Sequence, residues 1–336
     1  MSSLFLNEEK IFADNSESVS LAQDCRILNE PLHSWSVSAD FLYWFPSEEV
    51  SNIWADIITI TPDNSSSWEV PSFDLDWNYG FRLGADRKFG SDGWDSNFSW
   101  TWFQTKSTHS IVAGPYQTVS AEFFAAFLGN LKDGGDSILE TKGHWTLLFN
   151  MFDLDLGRDF QVSRSLSIRP FLGLKGGYIH QPIKIDYSDI GEKDSEGHYS
   201  GQENLKNNFW GVGPSGGVNT VWMLSNFHSN FFNLSGDFSM ATLWGNWVCS
   251  DVYTTSLGDS YTVAMKNSSL GALMFRGFLG MGWDAYFNHC RSCLSLKLGY
   301  EMQIWINQFR LSTLQLQRLH GDLTLQGITL KCAFEF

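Results

Sequence analysis

The sequence predicts an all-β chain: a transmembrane antiparallel up-and-down β-barrel of about ten strands, with twelve or more as the alternative count. Three observations predict it. Apolar and polar residues alternate with period two in run after run, the mark of strands with two different faces. Long and short connections alternate between the runs, as in outer-membrane barrels with long outer loops and short periplasmic turns. Finally, the chain stops on an aromatic at the end of a strictly alternating segment, Gly327–Phe336. Ile328, Leu330, Cys332, Phe334 and Phe336 point one way, Thr329, Lys331, Ala333 and Glu335 the other.

Composition agrees. Of 336 residues, 15 are Trp, 27 Phe and 30 Gly, and only 8 are Pro. Mean hydropathy is −0.17, and no apolar run approaches the roughly 18 residues a membrane-crossing helix needs. A barrel reconciles these values, because polar inner residues dilute the lipid-facing ones. A formal net charge of −15 argues against nucleic acid as a partner, since phosphate binding needs clustered Lys and Arg.

Residues 1–34 read as a polar N-terminal periplasmic arm, and residues 35–336 as the barrel. The start, Met1–Lys10, lacks the basic and apolar segments and the small-residue cleavage site of a secretory signal, contrary to what export would require. The first strand places Trp35, Val37, Ala39, Phe41, Tyr43 and Phe45 opposite Ser36, Ser38 and Asp40. A polar connection spans about 46–74, with room for an extra strand at Ile53–Thr61. Trp77, Tyr79, Phe81, Leu83 and Ala85 then oppose Arg82 and Asp86. A tight Gly90–Gly93 turn leads to Trp94, Phe98, Trp100 and Trp102.

After a long connection over about 106–141, Trp145, Leu147, Phe149 and Met151 open a strand whose phase slips near Phe152, which suggests a bulge. Leu166 to Tyr178 follow, opposite Arg169 and Lys175. The charged stretch 182–206 reads as a loop. Trp210, Val212, Val218 and Trp222 mark a Gly-rich strand, and Phe232 to Met240 oppose Asp237. A loop near 247–267, holding Cys249, precedes Leu273 to Trp283, opposite Arg276 and Asp284. Leu294 to Ile304 oppose Lys297 and Glu301. A loop at about 307–319 leads into the last strand. Aromatics near the strand ends, Trp35, Trp44, Trp77, Trp94, Trp102, Trp145, Tyr178, Trp210, Trp222, Trp244, Trp283 and Phe336, suit interfacial girdles.

Several segments resemble, in order and spacing, the Legionella-type major outer-membrane proteins, a pore-forming family also found in Chlamydia-like bacteria. They are Trp77-Asn-Tyr-Gly-Phe-Arg-Leu-Gly84, Trp94-Asp95 with Trp100-Thr-Trp102, Leu154-Asp-Leu-Gly-Arg-Asp-Phe160, Leu166-Ser-Ile-Arg-Pro-Phe-Leu-Gly173 and Phe209-Trp-Gly-Val-Gly-Pro-Ser-Gly216. The resemblance covers about Trp35 to Phe336. It implies a porin-like role in the bacterial outer membrane and brings no catalytic residue. It also implies cross-linking of envelope proteins through Cys25, Cys290, Cys293 or Cys332. Phe334 and Phe336 resemble the C-terminal aromatic signal read by the barrel assembly machinery.

The inward charges expected to line the lumen are Asp40, Arg82, Asp86, Arg169, Lys175, Asp237, Arg276, Asp284, Lys297, Glu301 and Lys331. They read either as a channel lining that sets ion preference or as a paired network that plugs the barrel. Eight strands leave just enough room for side chains and about sixteen leave a water channel, so ten would conduct poorly. The first expectation is passive diffusion of ions or small solutes; the alternative is a non-conducting structural or surface-interaction barrel, with outer-membrane lipid, envelope proteins or further copies of the chain as partners. His109, His144, His180, Asp186 and Asp189 show no catalytic spacing, so no enzyme, cofactor or metal is expected. The Cys290/Cys293 spacing lacks the βαβ setting of a redox motif and supplies too few ligands for structural zinc.

Overall fold

The computed structural model describes residues 34–49, 54–63, 65–73, 75–89, 92–121, 137–191, 198–227, 230–287, 291–312 and 318–336. The strands are β1 (Trp35–Glu48), β2 (Ala55–Ile60), β3 (Ser66–Glu69), β4 (Asn78–Phe89), β5 (Trp94–Val112), β6 (Gln117–Ala121), β7 (Ser137–Arg158), β8 (Phe160–Gln161), β9 (Leu166–Gly191), β10 (Tyr199–Phe227), β11 (Asn230–Thr255), β12 (Ser260–Phe287), β13 (Ser292–Ser312) and β14 (Arg318–Glu335). Ten of them close a barrel in the order β1, β4, β5, β7, β9, β10, β11, β12, β13, β14, each antiparallel to the next. β2, β3 and β6 extend the sheet from β7, and β8 is a short addition beside β9.

Closure is made by β14 returning to β1. The register runs unbroken from Ser36↔Glu335 to Glu48↔Leu323. Trp35 and Phe336 exchange backbone hydrogen bonds at 3.2 and 2.9 Å, and Lys88 Nζ meets Glu335 Oε1 at 2.5 Å beside them. Gly327, within β14, has φ +157°, and a Cβ there would strike the Tyr43 carbonyl oxygen and the Trp77 ring. The closing strand lies too tightly against β1 there for a side chain, which is why this position is glycine.

Trp35, Phe336 and the passages from β4 to β5, β7 to β9, β10 to β11 and β12 to β13 lie at one end; β2, β3 and β6 lie toward the opposite end. By the habit of outer-membrane barrels the first end is periplasmic. Strands β9 to β12 have 26, 29, 26 and 28 residues, against the roughly 9–11 a tilted strand needs to cross a bilayer. More than half of each therefore stands outside the membrane.

Alternation never breaks along β7, yet its apolar row changes sides. Toward the periplasmic end Phe152, Leu154 and Leu156 face outward and are exposed; farther out Trp145, Leu147, Phe149 and Met151 face inward and are buried. The register with β5 is continuous from Trp94↔Arg158 to Val112↔Glu140, so no bulge lies at Phe152. The expected phase slip is instead a change of surroundings. Where lipid lies outside, the apolar residues go out; where water lies outside, they go in. β9 repeats this, with Leu172 and Leu174 outward and Ile179, Ile183 and Ile185 inward. So does β11, with Phe238 and Met240 outward and Leu243 and Trp247 inward.

The same rule corrects other expectations. Trp44 and Trp145 are fully buried inside the barrel and belong to no girdle. Tyr178, Trp210 and Trp244 do face outward on adjacent strands at the outer edge of the apolar band, and Trp222 marks its periplasmic edge on β10. The stretches 182–206 and 247–267 are largely strand, because their polar residues alternate with an apolar row that faces the outer core. Cys249 is thus a buried strand residue.

The face change can be measured. Leu154→Arg, outward in the membrane half, is expected to destabilise the refolded barrel by about 2–4 kcal/mol. Thr146→Arg, outward on the same strand beyond the membrane, is expected to be near neutral. Urea unfolding in lipid vesicles compares the two; equal effects would remove the boundary between lipid-facing and water-facing halves.

Candidate functional site

The barrel interior is the candidate site, and it has two layers. The layer at membrane level is ionic. Arg82, inward on β4, reaches Asp40 at 3.2 Å and Glu301 at 2.7 Å, the latter across the intervening β1 and β14. Arg276 Nε donates to Glu301 at 2.8 Å, and Thr101, Thr329 and Gln303 complete the shell. Lys331 on β14 spans β13 and β12 to reach Asp237 on β11 at 2.5 Å. On the other wall Arg169 pairs with Asp95 and, at 2.7 Å, with Asp155, while Lys175 meets Asp153 at 2.6 Å. A buried guanidinium or carboxylate is tolerated only when paired and hydrogen-bonded, and the short reach across a ten-stranded barrel allows it.

All eleven charged residues expected in the lumen lie on the inward face. The structure joins Asp40, Arg82, Arg276 and Glu301 into one network, and Asp237 with Lys331 into a pair. Asp86 stands apart, accepting from Ser36 and Asn97; Asp284 accepts from Asn233 at 2.6 Å; Lys297 lies beside Lys331 in the register. Asp95, Asp153 and Asp155 are not among the expected residues. Unbroken alternation through β7 finds the last two, and the supposed slip hides them.

Above the ionic layer the interior is aromatic and apolar. Trp44, Phe103, Phe149, Trp305, Leu323 and Leu325 are fully buried. Phe149 on β7 and Trp305 on β13 belong to opposite walls, with four strands between them either way round, and their rings meet edge to face at 5.7 Å. Gln181 on β9 likewise crosses to Glu48 on β1, donating at 2.9 Å. Farther out, Arg310 lies 3.9 Å over the Trp247 ring, whose Nε1 donates to the Gln308 carbonyl.

The outer half also buries carboxyl groups of a different kind. Glu203 accepts from Tyr187 Oη at 2.5 Å and shares a hydrogen bond with Asp251, and no described Lys or Arg pairs with either. Two carboxyls bonded to one another must hold a proton between them. Burial raises both, Asp251 to about 6 and Glu203 well above the usual range, the Asp251 charge adding to the latter. Burial likewise raises Glu48 to about 8, with Asp322 and Glu49 nearby.

The histidines and their acidic neighbours do not converge. His144 bonds Thr108 and His180 bonds Asn208 on the outer wall, Asp186 pairs with Lys184, and His109 packs edge-on to Trp54. Asp189 has φ +53° near the end of β9. Cys249, Cys293 and Cys332 are free thiols, and no disulfide occurs among the described residues. Cys293 faces inward and Cys332 outward, paired with Leu296 rather than with each other, so those two cannot bond. Cys25 and Cys290 lie outside the described residues.

A pH dependence follows for the outer half. Carboxyls whose folded pKa is raised bind protons that the unfolded chain releases, so their contribution is complete below the unfolded pKa and is lost as pH rises through the folded one. These groups contribute most at about pH 4 and below, and the outer half is expected to weaken as pH rises from there through about 6 and 8, the folded values of Asp251 and Glu48. Hydrogen exchange of the outer ends of β9–β11 checks this; Glu48→Gln with Glu203→Gln should flatten the profile.

Comparison with known proteins places these features. The family described as Legionella pneumophila major outer membrane protein precursor matches residues 29–336. No curated protein sequence matches. Among solved structures, the outer membrane protease OmpT from Escherichia coli aligns at 8% identity and TM-score 0.38, covering 90% of this chain and 96% of that one. A major outer membrane protein from Thermus thermophilus aligns at 11% and 0.32, covering 90% and 99%. A Pseudomonas aeruginosa FadL homologue aligns at 9% and 0.28, covering 91% and 90%. None of these structural likenesses bears on activity. The family match over nearly the whole barrel, joined to a lipid-facing apolar band and a closed ring of ten strands, makes this chain a member of the Legionella pneumophila major outer membrane protein family, located in the bacterial outer membrane.

Proposed function

We propose that the protein is a closed structural barrel of the outer membrane that holds a tall β-sheet platform outside the bilayer for surface interaction. The observation that carries this reading is the contact between opposite walls: Phe149 and Trp305 touch across the full width of the barrel. The layer beneath supports it too, because Arg82, Glu301, Thr329 and Gln303 are almost out of reach of water. A standing water path would expose inward side chains of the aromatic layer, where Trp44, Phe103, Phe149 and Trp305 are fully buried. Outside the membrane, β2, β3 and the turn before β6 present Ile60, Trp68 and Tyr116 to solvent, which suits contact with other surface molecules.

Passive diffusion of ions or small solutes is the second reading. It is favoured by the charge of the inner face at membrane level, where Asp40, Arg82, Asp237, Arg276, Lys297, Glu301 and Lys331 would impose ion preference on a widened lumen. Phe334 and Phe336 stack outward at the end of β14, consistent with their proposed reading by the assembly machinery.

Planar bilayers distinguish the readings. The refolded chain is expected to insert without steady conductance; stable open steps in the unmodified protein would favour the pore. Glu301→Ala, which strands Arg276 and leaves Arg82 with Asp40 alone among its carboxylates, is expected to cost about 3–5 kcal/mol in urea unfolding. A change below about 1 kcal/mol would mean that the network holds nothing together.

A further inference from the structure

Two arginines are placed unlike the others. Arg82, Arg169 and Arg276 face inward and hold carboxylates. Arg87 and Arg158 occupy outward positions on β4 and β7 at the periplasmic rim, where alternation otherwise places lipid-facing residues. The Arg87 guanidinium lies 5.0 Å from the Trp35 ring and 5.4 Å from Phe89; that of Arg158 lies 5.7 Å from Trp94 and 5.0 Å from Phe160. Trp94 sits between the two sites, paired in register with Phe89 on one side and Arg158 on the other. The four rings are themselves substantially exposed.

Neither guanidinium meets a carboxylate among the described residues. Arg158 Nε donates to the Asp92 carbonyl oxygen at 3.0 Å, and Arg87 Nε is buried without a hydrogen-bond partner. Of the nearby acids, Asp86 is engaged with Ser36 and Asn97, Asp159 with Ser167, and Glu335 with Ser34 and Lys88, while Asp92 meets Arg158 through its carbonyl oxygen. Lys88, next to Arg87 in sequence, points the other way, into that ion pair. A chain of net charge −15 thus leaves Arg87 and Arg158 unneutralised at the depth where headgroups lie.

We propose that Arg87 and Arg158, framed by Trp35, Phe89, Trp94 and Phe160, form a binding site for the phosphate of an anionic phospholipid in the periplasmic leaflet. The rings take the upper acyl and glycerol region and orient the guanidiniums, which donate to phosphodiester oxygens. The two arginines stand on strands separated by β5, about 10 Å apart laterally at ordinary strand spacing. That spacing admits a lipid with two phosphates, or two neighbouring lipids.

The test uses the refolded full chain and native mass spectrometry in detergent, with phosphatidylglycerol, cardiolipin or phosphatidylcholine added. The expected result is retention of the anionic lipids over phosphatidylcholine. Retention should fall about fivefold in Arg87→Gln or Arg158→Gln and about 30-fold in the double variant, from roughly 1 kcal/mol per arginine near a charged surface. Arg164→Gln, in an exposed turn, should leave it unchanged. Heat-modifiability checks folding, and the single variants decide if the double variant does not fold. Equal retention in variant and unmodified chains, no preference for anionic lipid, or displacement by inorganic phosphate at matching concentration would each overturn the proposal.

Discussion

Everything in this molecule depends on closure of the backbone ladder. In hydrocarbon an unpaired N–H or C=O has no water to turn to, so a spanning sheet must return to its own first strand. Here β14 does so along the whole of β1, down to the exchange between Trp35 and Phe336. Once ten strands are closed the circumference is fixed, and with it the interior: wide enough for side chains, too narrow to leave inner charges fully hydrated. Arg82 therefore reaches over two strands to Glu301, and Lys331 over two strands to Asp237. The ionic network is a consequence of the strand count before it is a functional lining.

A second consequence comes from the medium outside the wall. The same strands pass from lipid into water without any break in pleat or register, so only the identity of the apolar row changes. In the membrane half the inner face is polar, and Asp40, Asp153, Asp155, Asp237 and Glu301 answer Arg and Lys. In the outer half the inner face is an ordinary apolar core, and the acids it encloses, Glu203 and Asp251, answer one another. One chain therefore combines an inverted and a conventional protein stacked along one axis, with Trp210, Trp244 and Tyr178 near the junction. The contact of Phe149 with Trp305 belongs to the conventional part, which supports a closed lumen more strongly than the charges below it.

Much of this is legible in the residues. Period two marks strands and faces; the rhythm of long and short connections implies antiparallel neighbours and the number ten; the terminal Phe336 marks the closing strand. The inward orientation of Asp40, Arg82, Lys175 and Glu301 follows from alternation alone, because side chains on a strand have no other choice. What alternation cannot supply is the medium facing each side. Trp145 to Met151 and Phe152 to Leu156 are equally apolar, and only the height of the band on the assembled barrel tells core from lipid face. Polar segments such as 182–206 look like loops for the same reason: their outer row meets water. Pairing is also beyond reach. That Glu301 holds both Arg82 and Arg276, or that opposite walls touch at Phe149, depends on the curvature of a closed sheet, which brings together residues remote in sequence. Strands, faces and the class of membrane protein are thus written in the order of the residues. Which charges meet, where lipid ends and that opposite walls touch emerge only on folding, because each of those is a property of the ring and not of any one strand.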